Sequence, residues 1–396
     1  MTTTRAELLA AGDITGLLAR NRAEFGGARM MARGYYALGD RQLKTADGRD
    51  FNELFAELTE VMSLANDQQQ RFTDVFTYPV TSPVTSVLQT VGGGADVFEV
   101  ATEYGIPEAS RLTHETLDLG ATFQWYDARL GWTWRYLTDA SDAEITAATV
   151  QVINADRENV FTDIMRTVFS PTTRKVTDPN TKNVYDVFAF ANGDGWTPPA
   201  YNGNTFPGSH THFRTSGEAQ VVSSDLDVII DDFKSHGYSA ENGTQVVIFV
   251  NAFEGNRVSR FRVADGDRAD FIPASGARFY AEGQLVGDQP AATFAGFPVL
   301  GGYGDAILNE SDRIPAGYVV GLASGGRLVN SNPLMLREHS RIKGLTVIEG
   351  SRSDYPLIDS YFTHGFGTGV RHRLAGFVLQ ISTNATYTPP SLYVAS

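Results

Sequence analysis

Apolar residues alternate along two adjacent stretches in the N-terminal half of the chain. They are Leu117, Leu119, Ala121, Phe123 and Trp125 and then, after Asp127-Ala128-Arg129, Trp132, Trp134 and Tyr136. Period-two alternation is typical of strands with one buried face. The pattern predicts a two-stranded aromatic ribbon whose second strand returns after residues 127–129.

This ribbon carries more apolar surface than two strands can cover by themselves. A large aromatic side chain buries about 150–250 Å², so four of them represent on the order of 15–25 kcal/mol of gross burial. A lone hairpin is marginal in water without a packing partner. Two interpretations stay open: the ribbon covers the core of its own chain, or it lies on a neighbouring subunit.

Helical periodicity follows the ribbon directly. Ser141 and Glu144 form a capping-box pattern, apolar residues then recur on one broad face as far as Phe169, and Pro171 ends the run. A helix over residues 141–169 is a rod about 43 Å long. The pattern therefore predicts a long spine helix.

Three shorter helical segments are predicted elsewhere. Residues 5–25 suggest a short broken helix, and apolar residues at helical spacing follow Asp50, a candidate cap. A third helix begins at Ser224, with Asp227 at the capping-box position and Gly237 as a natural C′ residue.

Extended and irregular segments complete the pattern. The uniformly apolar run at 246–250 predicts a strand buried on both faces, and residues 374–381 predict a closing strand. Residues 172–223 are rich in Asn, Gly, Pro and Thr, which indicates a long irregular excursion.

Composition narrows the function. The 396 residues include 42% hydrophobic residues, no Cys and a formal net charge of -14. Since gripping nucleic acid requires clustered Lys and Arg, the acidic balance argues against that class. The N-terminus lacks a signal-peptide pattern, and no apolar run approaches the ~20 residues that span a bilayer. We expect a product made in a cytoplasm, without a membrane role.

Candidate catalytic or metal-binding motifs are weak. His210 and His212 would share one face of a strand, but no third ligand follows at a characteristic spacing, so no metal is expected. Residues 365–369, GFGTG, lack the spacing of a phosphate loop and precede a strand pattern, which favours tight backbone approach in a sheet. No catalytic residues and no cofactor are predicted.

The order of these elements resembles the major capsid proteins of tailed bacteriophages, the Hong Kong 97 type. Besides the ribbon and the spine helix, the resemblance rests on SDLDVII at 224–230, the strand at 246–251, FAGFPV at 294–299, RIPAGY at 313–318 and GVRHRLAGFV at 369–378. It covers essentially the whole chain.

The resemblance implies an α+β fold with four parts. They are an N-terminal arm with arm helices at 1–90, an extended β-ribbon loop at 91–140, a peripheral domain with the spine helix at 141–224 and 346–396, and an axial α/β domain at 225–345.

The resemblance also implies how subunits would meet. The extended loop would lie across a neighbouring subunit, and its contact residues would be Phe123, Trp125, Trp132, Trp134 and Tyr136.

The implied function is structural: a shell subunit that assembles with itself into pentamers and hexamers of an icosahedral phage head, a virion component. The shell would enclose double-stranded DNA without specific binding, and scaffolding, portal and cement proteins are possible partners. The acidic balance suits this role, because packaged DNA must slide along the inner surface. The N-terminus shows no long charged scaffold helix, so a separate scaffolding protein, or none, is expected.

One departure from the family limits the comparison. Some members form a covalent cross-link between a Lys of the extended loop and an Asn of a neighbour. No Lys lies between Lys44 and Lys175 here, so no isopeptide bond is expected.

Two alternatives remain at this stage. An encapsulin-like nanocompartment shell keeps the fold but encloses a cargo enzyme; the long arm and the excursion at 172–223 favour the phage head. A soluble α/β hydrolase or metal enzyme would instead use His210 and His212.

Overall fold

A computed structural model gives the architecture of the chain. It describes residues 47–48, 51–90, 115–133, 136, 139–275, 290–294, 297–349 and 357–394. The predicted helix at residues 5–25 lies outside the described residues. Helices and strands are mixed along the described chain, as expected for an α+β fold.

The helices are α1 (Phe51–Phe76), α2 (Asp142–Phe169), α3 (Ser223–Ser235) and α4 (Ala252–Val258). The strands are β1 (Thr77–Val80), β2 (Val84–Leu88), β3 (Thr116–Gly120), β4 (Gln124–Thr133), β5 (Arg174–Thr177), β6 (Val184–Val187), β7 (Phe213–Thr215), β8 (Gln245–Val250), β9 (Phe271–Pro273), β10 (Thr293–Phe294), β11 (Phe297–Tyr303), β12 (Ala306–Glu310), β13 (Tyr318–Ser324), β14 (Leu334–Glu338), β15 (Thr346–Glu349), β16 (Leu357–Val370) and β17 (Gly376–Gln380).

The chain forms two compact units, each made of three segments. Unit 1 comprises Met1–Gln70, Phe123–Thr162 and Glu338–Phe366. Unit 2 comprises Arg71–Thr122, Asp163–Arg337 and Gly367–Ser396. Each unit is therefore assembled from segments that are far apart in sequence.

In unit 1, strand β16 pairs antiparallel with both β4 and β15. Its register with β4 sets His364 opposite Tyr126 and Gly365 opposite Trp125. The core of this unit combines apolar residues of α1, of α2 and of the sheet: Val61, Met62, Ala65, Ala140, Ile145, Ile153, Leu345 and Phe362.

This pairing contradicts the predicted ribbon. Strand β4 runs without a break through residues 127–129, where the return turn was expected, and its partner is β16. The first predicted arm, β3, pairs instead with β2. The prediction failed because alternation identifies a strand but not its partner, and residues 127–129 contain neither Gly nor Pro to force a turn.

Unit 2 is built on an eight-stranded mixed sheet in the order β10-β11-β12-β8-β13-β17-β7, with β9 paired to β11. Strand β8 lies in the interior, parallel to β12 and antiparallel to β13. Its residues from Val246 to Val250 are all buried, which confirms the prediction of a strand covered on both faces. The sheet includes β7 and β17, from outside the 225–345 range assigned to an axial domain.

Helix α3 covers one face of this sheet with Leu226, Ile229, Ile230 and Phe233. The helix begins one residue earlier than predicted, because the Asp225 carboxylate accepts a hydrogen bond from the Val222 backbone N–H at 2.9 Å. Since Val222 has no side-chain acceptor, only this half of a capping box forms.

The ends of two helices were well predicted. Gly237 follows α3 with a φ of 87°, the left-handed conformation that Gly adopts without strain. Helix α2 begins at Asp142 and ends at Phe169, and the Glu144 carboxylate accepts from the Ser141 backbone N–H at 2.9 Å. The spine helix is thus confirmed to within one residue.

The excursion at 172–223 contains more regular structure than predicted. Strands β5 and β6 form an antiparallel hairpin, and Thr211 makes an isolated bridge with Asn192. The remainder before β7 is irregular. Local composition indicated the irregular backbone but not the hairpin.

Candidate functional site

Two of the predicted contact residues are used within their own unit. Phe123 is 5% exposed, and its ring meets that of Trp125 edge-on at a centroid distance of 5.5 Å. Trp125 also lies 5.4 Å from the His339 ring. A Cβ atom on Gly365 would lie 2.6 Å from the Trp125 ring. The Gly365 backbone therefore packs directly against these aromatics, leaving Phe123 almost no surface for a neighbour.

The other three predicted contact residues are Trp132, Trp134 and Tyr136. Tyr136 is 43% exposed, so part of its surface can meet a partner. Trp132 occupies β4, but its side chain, like the whole of Trp134, lies outside the described residues. The expected contact role remains a prediction for these residues.

An exposed ribbon does exist, but it is formed by β2 and β3 in unit 2. Val87 and Leu119 anchor its inner face among Val80, Ala121 and Met335. Its outer apolar residues, Val84 and Leu88, are 37% and 41% exposed. The Gln89 N–H donates to Glu115 O at 2.9 Å, which extends the ladder by one residue on each strand. The sequence pattern identified β3 through Leu117 and Leu119 but not its partner β2, because VTSVL lacks a strict alternation of apolar and polar residues.

Unit 1 contains a buried histidine between two carboxylates. His364 Nδ1 lies 2.8 Å from Asp156 Oδ1, and Nε2 lies 3.8 Å from Glu338 Oε1, an ion-pair rather than a hydrogen-bond distance. Burial alone would lower the pKa of His364, but the hydrogen bond to Asp156 and the two negative charges raise it to about 9. The imidazole is therefore protonated at neutral pH.

Unit 2 contains a second histidine cluster, formed by His210, His212, His236 and Asp232. His210 and His212 precede β7, Asp232 lies in the last turn of α3, and His236 caps that helix. Asp232 and His236 share one helix face because they are four residues apart. From the sequence we expected no metal site, because no third ligand followed His210 and His212. Asp232 and His236 supply the third and fourth ligands.

The donor atoms of this cluster converge. His210 Nε2 lies 3.1 Å from His212 Nε2 and 2.9 Å from His236 Nε2. Asp232 Oδ2 lies 3.1 Å from His212 Nε2, 3.8 Å from His210 Nε2 and 3.9 Å from His236 Nε2. These four side chains could hold a metal ion.

Electrostatics keep these histidines neutral. Burial lowers the pKa of His212 to about 3 and that of His236 to about 2, and it also lowers the pKa of His210. Burial raises the pKa of Asp232, although the charge of Arg214 opposes the shift. Three imidazoles with free nitrogen lone pairs thus surround one carboxyl group at pH 7.

The glycine-rich segment GFGTG has a structural role. Residues 365–369 lie within β16, and a Cβ atom on Gly369 would come within 2.4 Å of the Gly120 carbonyl oxygen. The prediction of tight backbone approach at these glycines is confirmed.

Among the described residues, no helix combines the length and the apolar character that crossing a bilayer requires.

Neither a protein-family model nor a curated protein matches the chain. Solved structures do. The chain is 34% identical to a protein of Mycobacterium phage Patience, covering 93% of this chain and 98% of that one with a TM-score of 0.66. It also matches the capsid of a native GTA particle at 15% identity, covering 80% and 90% of the two chains with a TM-score of 0.42. A third match, the holo-SrpI encapsulin complex from Synechococcus elongatus, has 10% identity, 94% and 98% coverage, and a TM-score of 0.44.

Proposed function

Since the chain belongs to the Hong Kong 97-type family of tailed-bacteriophage major capsid proteins, we propose that it forms the shell of an icosahedral phage head that encloses double-stranded DNA. The observation that carries this proposal is the 34% identity to the phage Patience protein over nearly the full length of both chains. The subunit acts by packing against copies of itself in pentamers and hexamers. It needs no catalysis and no cofactor.

The extended loop of this subunit is the excursion that begins and ends with the β2–β3 ribbon. Its base is fixed by Val87 and Leu119 in unit 2, whereas Val84 and Leu88 face outward. Covering these exposed apolar residues with a second copy stabilises the contact by about 25 cal/mol per Å² of apolar surface. The loop therefore holds a neighbour mainly by burial. It replaces the ribbon at 117–136 inferred from the sequence pattern.

Tyr136 offers a further contact surface, and a contact role is also predicted for Trp132 and Trp134. Tyr136 presents a large exposed aromatic ring, and aromatic residues are enriched where subunits meet. Its role is independent of the extended loop, since it belongs to unit 1.

No covalent bond supports these contacts. The β2–β3 excursion, residues 84–120, falls in the stretch without Lys between Lys44 and Lys175, so it has no amine for an isopeptide bond. Purified particles should therefore run as single chains on a denaturing gel. A ladder of covalent multimers would contradict this.

The acidic balance of the chain serves DNA packaging. With a formal net charge of -14, the subunit lacks the excess of cations that would release counterions and hold DNA. The inner surface of the shell is then neutral to negative, and DNA slides along it. Scaffolding, portal and cement proteins are the expected partners of assembly.

Electron microscopy of the purified, untagged chain tests this function. We expect closed shells of uniform diameter, and particles isolated from an infected host should contain DNA. A protein cargo with no DNA would assign the chain to a nanocompartment instead. Small, discrete oligomers that never close into shells, even with the neighbouring phage genes co-expressed, would contradict the shell function.

A further inference from the structure

We propose that His210, His212, Asp232 and His236 form a structural zinc site within the subunit. The site uses three imidazole nitrogens and one carboxylate oxygen, a ligand set that suits zinc among the common divalent ions. Calcium and magnesium prefer sites made of oxygen ligands. The inference does not depend on the proposed shell function.

The spacing of the donor atoms fits a tetrahedral ion. With zinc–ligand bonds of about 2.0–2.1 Å, neighbouring ligand atoms are about 3.3 Å apart. Three of the distances between ligand atoms in the cluster are 2.9, 3.1 and 3.1 Å, and two others are 3.8 and 3.9 Å. Small rotations of the side chains would bring all four atoms to bonding distance.

The hydrogen bonds around the cluster point to a cation at its centre. His212 Nδ1 donates to Gly376 O at 2.7 Å, so the Nε2 atom of this neutral ring carries a lone pair. That lone pair faces Asp232 Oδ2 at 3.1 Å. Asp232 Oδ2 has no hydrogen-bond donor, although its side chain is only 10% exposed.

A proton on His210 cannot satisfy the whole cluster. His210 Nε2 lies within hydrogen-bond distance of both His212 Nε2 and His236 Nε2, but one N–H can point at only one of them. A divalent ion accepts lone pairs from all three rings and from Asp232 at once. Unpaired buried acceptors are costly, so an ion at this point stabilises the fold.

Neighbouring groups hold the ligands in place. Arg214 Nη2 donates to Asp232 Oδ1 at 3.1 Å, which leaves Oδ2 directed at the histidines. The Phe206 ring lies 3.9 Å from the His236 ring. The charge of Arg373 opposes a cation, but Arg373 is paired with Asp194 at 2.7 Å.

The site explains how a mostly irregular segment is kept in order. His210 and His212 end the stretch between β6 and β7, whereas Asp232 lies in α3 and His236 caps that helix. Zinc would join this stretch to the helix within unit 2. Because four protein ligands leave no open position, the ion serves stability rather than hydrolysis.

Zinc retention by the untagged chain tests the proposal. After treatment with a chelator and addition of zinc chloride, the desalted wild-type chain should retain one zinc per chain by elemental analysis. Its unfolding midpoint should rise with free zinc concentration. Cobalt at the same site should give the intense visible absorption of a tetrahedral complex.

Two variants separate this site from nonspecific binding. Asp232→Asn preserves side-chain size and the acceptor for Arg214, and His210→Ala removes the most exposed ring of the cluster; each should weaken zinc binding at least about tenfold. His339→Ala, which removes a histidine from unit 1, should bind zinc like wild type. The proposal is overturned if the wild-type chain retains no zinc, or if both cluster variants retain as much as wild type. If neither variant folds, the cobalt spectrum of the wild-type chain is the test. Intense visible absorption supports a tetrahedral site, and its absence overturns the proposal.

Discussion

Strands β3 and β4 are separated by three residues, yet they serve different purposes. Phe123 and Trp125, around the start of β4, pack against the backbone of β16 at Gly365, although most other described residues of β4 are exposed. Strand β3 contains no aromatic residue and forms, with β2, a ribbon whose outer side is exposed. At Phe123 and Trp125, aromatic content therefore marks packing within the chain rather than a surface that is left for a partner.

The difference follows from what lies opposite each strand. Gly365 has no side chain, so the Trp125 ring can lie directly on the backbone of β16. The β2–β3 ribbon has only two strands, and two-stranded ribbons need an additional partner. Val80, Ala121 and Met335 cover its inner face, and we propose that a neighbouring subunit covers the outer face.

The largest expected effect is a loss of stability at high pH in the sheet formed by β4 and β16. The pKa of His364, on β16, is 6.5 when unfolded and about 9 in the fold. The protonated ring therefore adds at most about 3 kcal/mol to the free energy of unfolding. This contribution is complete below pH 6.5 and is lost as the pH rises through 9. Denaturant unfolding of the wild-type chain and of His364→Gln at pH 6.5 and 10 measures this. An unchanged difference between the two proteins would show that His364 is not protonated in the fold.

Trp125→Ala should destabilise the subunit itself. Removing a half-buried indole costs about 2 kcal/mol, because the contacts with Phe123 and Gly365 are lost. Denaturant unfolding of unassembled subunits measures the effect. If the variant subunit were as stable as wild type and failed only in assembly, β4 would be an interface strand after all.

Gly365→Ala should cost about 1–2 kcal/mol, because the new methyl group would lie too close to the Trp125 ring. Gly302→Ala, in β11, is the matched control, since the nearest atom to its Cβ would be 3.6 Å away. Thermal unfolding should separate the two variants. Equal midpoints would mean that the backbone of β16 is not packed tightly against Trp125.

Leu88→Ala should have the smallest effect on folding, below about 0.5 kcal/mol, but it should reduce shell yield. Leu88 is exposed on the ribbon, and in the proposed shell a second copy would cover it. Val184→Ala, on the exposed β5–β6 hairpin, is the control for loss of a surface apolar residue. Sedimentation of assembly reactions at equal concentration compares them. An equal loss of shell yield in both variants would contradict a specific role of the ribbon in assembly.

Local rules predicted the elements better than their partners. Capping by Glu144 and the stop at Pro171 placed α2, and the uniform apolar run placed β8. The pairing of β4 with β16 joins residues more than two hundred positions apart, such as Trp132 and Ile358. Periodicity within one segment contains no information on such a partner.

The histidine cluster shows the same limit. His210 and His212 were recognised as possible ligands, but the other two ligands lie on a helix that follows. Asp232 and His236, four residues apart near the end of a predicted helix, were the available signal. Only the folded chain brings both pairs together.

Hydrogen–deuterium exchange, compared between dissociated subunits and purified shells, tests most directly the claim that this chain builds a shell through its β2–β3 ribbon. The account predicts that assembly slows exchange in peptides covering Val84–Leu88 and Thr116–Gly120. Peptides of Gln124–Thr133, already paired with β16 in the isolated subunit, should change little. Slowing confined to Gln124–Thr133, with the ribbon unchanged, would contradict it.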